Sequence, residues 1–250
     1  MTRRTMEPVS KTSHTWWTVK CKLSLLLIVL CTESMFAQQS RERDVAYPLP
    51  LPAGAVCGSA GISVTFIPRP IAEEEIRQIP MPEARVRVGL GSGFAVTGRL
   101  GTNVLTNVIT TGAQWSAHIP HGVAGVGIDE TIVRGFASMD GFDVDYHGWI
   151  TAPYVMVGWS VGDVNFSVRA ETVIITDRTT RVGDVVSINE KNLRAGNAIA
   201  LFVEQPLSDA TRILLGLKVH NLKSAYQSWL AFSTFNDPLI YPEFIVGAEL

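Results

Sequence analysis

From residue 84 onward, apolar and polar side chains alternate. Segments of about ten to thirteen residues carry apolar groups at every second position, separated by Gly, Asp, Asn or Pro, and none shows a helical period. In 164–175, Val164, Phe166, Val168, Ala170 and Ile174 fall on one face and Asn165, Ser167, Arg169 and Glu171 on the other, as a pleated strand requires. The preceding "GWITAPYVMVGWSV" reads the same way, and Val161-Gly162-Asp163-Val164 joins the two as a tight hairpin. At 198–204 Ile199, Leu201 and Val203 oppose Ala198, Ala200 and Glu204. At 212–220 Ile213, Leu215, Leu217 and Val219 oppose Arg212, Gly216, Lys218 and His220. Further strands are expected at 84–96, 104–119, 122–134, 225–235 and 239–250. Nine strands suit a closed antiparallel barrel poorly, so either 122–134 is not a strand or 61–67 is a tenth.

Alternation alone does not say whether the oily face meets a core or a lipid. Trp149 and Trp159 share one face of one strand, with Thr151, Pro153, Val155 and Val157 between them. Ten residues at roughly 3.3 Å each, tilted near 40°, span about 25 Å of height, the distance between the aromatic girdles of a membrane barrel. Both tryptophans are therefore expected at membrane interfaces. Pro153 in mid-strand fits neither a central sandwich strand nor a barrel ladder.

The opposite face carries Arg85 and Arg87, Arg169 and Glu171, Arg212 and Lys218, and Glu243 and Glu249, set among small residues such as Gly89, Gly91, Gly93 and Ala200. A narrow barrel interior needs this mixture: small side chains for room, and opposed charges that pair across the lumen. "GLGSG" at 89–93 lacks the G-x-G-x-x-G spacing of a dinucleotide loop, and "FAVTGRLGTN" after it disfavours the helix such a loop requires. The three glycines are expected within a strand, as the space that Arg85 and Arg87 occupy.

Charged residues are 18% of the chain and mean hydropathy is +0.20. Lys20 and Lys22 precede an apolar run from Leu23 to Cys31 and a small-residue exit at Ala37, the anatomy of a secretory signal peptide. Residues 1–37 are expected to be this signal, 38–83 a proline-rich periplasmic lead-in ("YPLPLPAG", "FIPRP"), and 84–250 the barrel. Removing the signal takes away five basic and two acidic residues, leaving a mildly acidic chain that gives no support to nucleic-acid binding. Only Cys57 then remains, which excludes an internal disulfide and a cysteine-based metal site.

The chain ends inside a strand. "IYPEFIVGAEL" keeps Ile240, Pro242, Phe244, Val246, Ala248 and Leu250 on one face to the last residue. This resembles the closing strand of small bacterial outer-membrane β-barrel proteins, although those usually finish on an aromatic residue. The resemblance, a pattern over 84–250, implies an all-β, antiparallel up-and-down transmembrane barrel of about 8 to 10 strands, exported through the Sec pathway. It also implies outer-membrane lipid and the barrel-assembly machinery as partners. Its role would be structural or narrow transport, with no catalytic residue, cofactor or metal assigned. The polar stretch 177–197 is expected as an exposed loop, and Gly162-Asp163 as a periplasmic turn.

Two other readings compete. A soluble secreted or periplasmic β-sandwich that binds a ligand or protein shows the same alternation. A barrel enzyme acting on lipid at the membrane face would draw on His220 or on Asp140, Asp143, Asp145 and His147. That acidic cluster lacks calcium-loop spacing, and His118 and His121 in "HIPH" have no third ligand nearby.

Overall fold

The computed structural model describes residues 44–68, 78–139, 142–208, 211–223, 229 and 238–249. The expected signal peptide, Asp140, Leu250 and all of 225–235 except Trp229 lie outside these. Ten antiparallel strands form a closed barrel: β1 (Val56–Phe66), β2 (Gln78–Gly91), β3 (Phe94–Thr102), β4 (Thr106–Ile119), β5 (Gly122–Met139), β6 (Phe142–Val161), β7 (Val164–Val182), β8 (Val185–Pro206), β9 (Arg212–Leu222) and β10 (Leu239–Glu249). Each pairs with its neighbours in sequence, and β1 closes on β10 from Ser59↔Glu249 to Thr65↔Glu243. A closed ring has neither an edge strand nor a second sheet, so the sandwich reading is overturned. The even count places the start of β1 and the finish of β10 at the same end, the terminal end of the barrel.

Several expected boundaries move. Segment 122–134 is a strand, extended to Met139, and the tenth strand is β1 at Val56–Phe66. Segment 84–96 is two strands, because the glycine run is a turn rather than part of a strand: Gly91 pairs with Phe94 across Ser92-Gly93. Ser92 and Gly93 both have positive φ (53° and 82°), as a two-residue hairpin turn matched to strand twist requires, and Gly91 (85°) sits at the register shift before it. Segment 177–197 is a hairpin rather than a loop, since β7 and β8 turn at Gly183-Asp184. Strands β6, β7 and β8, of 20, 19 and 22 residues, extend past their shorter neighbours at the opposite end.

The barrel therefore starts at Val56 rather than at residue 84, and the prolines there are accommodated by position. Gly89 exchanges backbone hydrogen bonds with Gly54 and Ala55, so odd positions of β2 face β1 through their backbone. Pro80 and Pro82 face the other way, past the point where β3 pairing begins at Glu83↔Gly101. Pro242 lies just beyond the last β1–β10 pair, and Pro153 falls where the β6–β7 ladder lapses between Thr151↔Ile174 and Tyr154↔Glu171. Each proline stands where one side of its strand makes no ladder bond, as a residue without an N–H must.

Candidate functional site in the lumen

The interior is stacked in three layers. At the terminal end residues 44–55 enter the barrel before β1 starts. Their backbone groups are gripped by lumen side chains. Glu204 Oε1 accepts from the N–H of Val45 (2.8 Å) and of Ala46 (2.7 Å), and Glu249 Oε1 from Val45 N–H (3.3 Å). The Arg87 guanidinium donates to the carbonyls of Tyr47 and Leu49, and Ser167 Oγ to that of Ala46 (3.3 Å). Asp44 is anchored by Asn165 and by Arg212 Nε at 2.7 Å. Burial, reinforced by the Glu204 charge, pushes the Asp44 carboxyl up to about 6 against the pull of Arg212.

Glycines supply the room. A Cβ on Gly158 would lie 2.5 Å from the Tyr47 ring, and one on Gly89 would lie 2.7 Å from Leu51 Cβ. Gly89 thus makes space for the entering segment rather than for Arg85 and Arg87, while Gly91 and Gly93 serve the turn.

The middle layer is charged. Glu83 pairs with Arg85 (2.8 Å) and Arg99 (2.6 Å), and Arg99 also reaches Glu243 (3.2 Å). Glu243, fully buried, meets His220 Nε2 at 2.9 Å. Lys218 pairs with Glu171 (2.5 Å) and Arg169 with both Glu171 (2.9 Å) and Asp129 (2.7 Å), the last two bridging across an intervening strand or along β7. Arg169 Cζ also sits 3.6 Å from the centroid of the Tyr154 ring. A cavity of about 140 Å³ remains among these groups. Opposite charges held at contact distance neutralise one another and leave no single sign to select an ion.

At the opposite end the lumen turns apolar. Met81, Val108, Val133, Val144, Tyr146, Ile175 and Tyr241 form one buried cluster around Trp229, which comes from the β9–β10 connection. Trp229 stacks on Tyr146 (5.6 Å) and donates its Nε1–H to Thr106 Oγ1 at 2.8 Å. A Cβ on Gly135 would fall 2.1 Å from the Trp229 ring, so this glycine is the socket for the indole.

All eight charged residues singled out in the sequence sit on inward faces: Arg85, Arg87, Arg169, Glu171, Arg212, Lys218, Glu243 and Glu249. Trp149 and Trp159 sit on the outer surface, 44% and 38% exposed. Sequence reasoning assigned no site role to Asp44, Glu83, Arg99, Asp129 or Glu204. Asp44 and Glu83 fall in the proline-rich stretch 38–83, and Asp129 in the strand 122–134 that an even strand count puts in question. Arg99 lay beyond an expected strand end, and Glu204 stood on the correct face without a partner in view. His220 is a lumen residue stacked on Tyr241, whereas Asp143, Asp145 and His147 lie on β6, so the two groups form no common site. His118 and exposed His121 flank the β4–β5 turn.

The outer surface is apolar around the ring, with Val96, Ile109, Ile128, Val155, Ile199, Leu215 and Val246 all exposed. Toward the terminal end Trp159 stacks on Phe166 (5.8 Å), and Phe94 pairs with Trp115 across β3 and β4. Toward the opposite end Trp149 donates to Glu130 (2.6 Å), and Phe66 meets Phe244 edge-on.

No family model and no curated protein matches the sequence. Among solved structures, the translocator domain of the autotransporter NalP from Neisseria meningitidis is similar at 11% identity and a TM-score of 0.35, covering 93% of this chain and 96% of that one. The attachment invasion locus protein Ail of Yersinia pestis is 9% identical at a TM-score of 0.29, over 80% of this chain and 100% of Ail. OmpT, an outer-membrane protein of Vibrio cholerae, is 10% identical at a TM-score of 0.20, over 80% and 98%. Identity at this level carries no functional residue over. The closed barrel is fixed by this chain's own strand pairing.

Proposed function

We propose that the chain is a bacterial outer-membrane barrel, closed at rest, with a structural or narrow, gated transport role and no catalytic centre. The observation that carries this reading is the inversion of polarity: charges are paired inside and aliphatic side chains stand exposed outside, which water disfavours and lipid favours. The length of the shorter strands, 9 to 11 residues, suits a bilayer crossing. The two aromatic levels then lie at the headgroups, with Trp149 and Trp159 as interface anchors. Short turns and both strand termini assign the terminal end to the periplasm, so Gly162-Asp163 faces the periplasm and the β6–β7–β8 extension faces outward. Lipid would contact the whole outer surface, and the assembly machinery would engage β10.

The test is fractionation of expressed cells followed by electrophoresis of cold and boiled samples. Recovery in outer membranes with a heat-dependent mobility supports the proposal. A soluble periplasmic protein with no heat shift overturns it.

A further inference from the structure

The contacts to residues 44–55 are made to main chain more than to side chains. Five of the segment's N–H donors can be followed. Val45 and Ala46 N–H go to Glu204, Leu49 N–H to the Tyr47 carbonyl (2.8 Å), Gly54 N–H to the Gly89 carbonyl (2.9 Å) and Ala55 N–H to that of Pro52 (3.2 Å). Pro48, Pro50 and Pro52 have no N–H to satisfy, so the alternating prolines remove donors that a narrow lumen would otherwise strand. The barrel answers with one carboxyl for two successive N–H groups, which the bend at 45–47 turns to the same side, and with one guanidinium whose charge-assisted bonds reach two carbonyls. Selectivity comes from two close approaches: over Gly158, which takes an aromatic ring, and over Gly89, which admits the chain at Pro52 and the buried Leu51 side chain. This is the architecture of a peptide-binding cleft, with main-chain bonds for affinity and spaced pockets for specificity.

We propose that the terminal mouth of the barrel is a receptor site for a proline-rich peptide of the pattern acidic–x–x–aromatic–Pro–x–Pro–aliphatic–Pro, filled here in cis by residues 44–55 and open to the same pattern in trans. A peptide from the terminal side that takes the resident segment's place keeps the mouth filled and sets residues 44–55 free at that end, so the site couples partner binding to release of the segment. The cis segment competes at the high effective concentration of a tethered ligand, and displacement therefore requires either an abundant partner or a weakened tether. The inference rests on the lumen reading above, and on the membrane reading only for where the partner comes from.

The experiment uses the full chain carrying Tyr47→Ala and Leu51→Ala, which weakens the resident segment and leaves the receptor side chains intact. A fluorescent synthetic peptide of residues 44–55 is titrated and its anisotropy followed. Saturable binding is expected, weakened at least tenfold when the same chain also carries Glu204→Ala, and similarly weakened when the peptide carries Ala in place of Tyr47. Gly158→Ala, which fills the ring pocket with a methyl group, serves as a second receptor variant if Glu204→Ala fails to fold. Heat-shifted mobility verifies the barrel in every sample. A heat-shifting barrel that shows no saturable binding, or binding indifferent to both receptor variants, overturns the peptide site and leaves the membrane reading standing. Loss of the heat shift in the wild-type chain strikes the membrane reading instead.

Discussion

The two ends of the lumen are closed by opposite chemistries. At the terminal end a proline-rich segment is held by a carboxyl and a guanidinium that grip its backbone, with Asp44 tied to Arg212. At the other end an indole drops into an apolar socket with one hydrogen bond. Ionic grip depends on pH and ligand competition, whereas apolar packing depends on volume and area. The first closure is thus built to be exchanged and the second to stay.

Trp229→Ala gives the largest effect that separates the ends. Emptying the socket is expected to cost about 3–5 kcal/mol of cap stability, unchanged between pH 5 and 7, and heat denaturation with near-ultraviolet dichroism reads it. A cost that varied with pH would erase the distinction between the two closures. Val157→Arg touches neither end, because Val157 faces outward at 45% exposure. At mid-depth in a bilayer it is expected to cost roughly 2–4 kcal/mol in lipid, and wild-type stability there would contradict the outward lipid face. Gly135→Ala presses a methyl group into the indole and is expected to cost about 1–3 kcal/mol, with a red shift of Trp229 emission as the ring is displaced.

The smallest effect belongs to the polar end and carries a sign. Docked Asp44 titrates at about 6 against an ordinary 3.8, so the docked segment binds its proton more tightly than the released one. Its contribution favours docking most below pH 3.8 and is lost as pH rises to about 6. The groups facing it are Arg212, Asn165, Arg87, Glu204 and Glu249. Exchange protection of the Val45 and Ala46 amides, corrected for intrinsic rates, should fall from pH 4 to pH 6.5. Asp44→Asn should remove the part of that fall due to Asp44, and an identical profile in the variant would remove Asp44 from the account.

The outward and inward faces were legible in the sequence because a two-residue period leaves no choice once one face is oily: Arg169 and Glu171 against Val168 and Ala170 settle it. The far half of β7 and β8 was not, because past the apolar band both faces meet water and the alternation lapses. Even there a signal stood in the chain. Val182-Gly183-Asp184-Val185 repeats the Val161-Gly162-Asp163-Val164 hairpin turn, and both glycines have positive φ. Pro80 and Pro82 hid the start of β2, because a proline's tolerance depends on whether a neighbour pairs at that position. The grip on residues 44–55 joins Asp44 to Arg212 and Val45 to Glu204, partners that no local pattern brings together.

Conductance across a planar lipid bilayer tests the double closure most directly, comparing the wild type, Tyr47→Ala, Trp229→Ala and the combination. The account predicts a silent wild type, single variants that conduct little, and small stepwise openings when both closures are weakened. Steady conductance from the wild type, or silence in a correctly heat-shifting double variant, would contradict it.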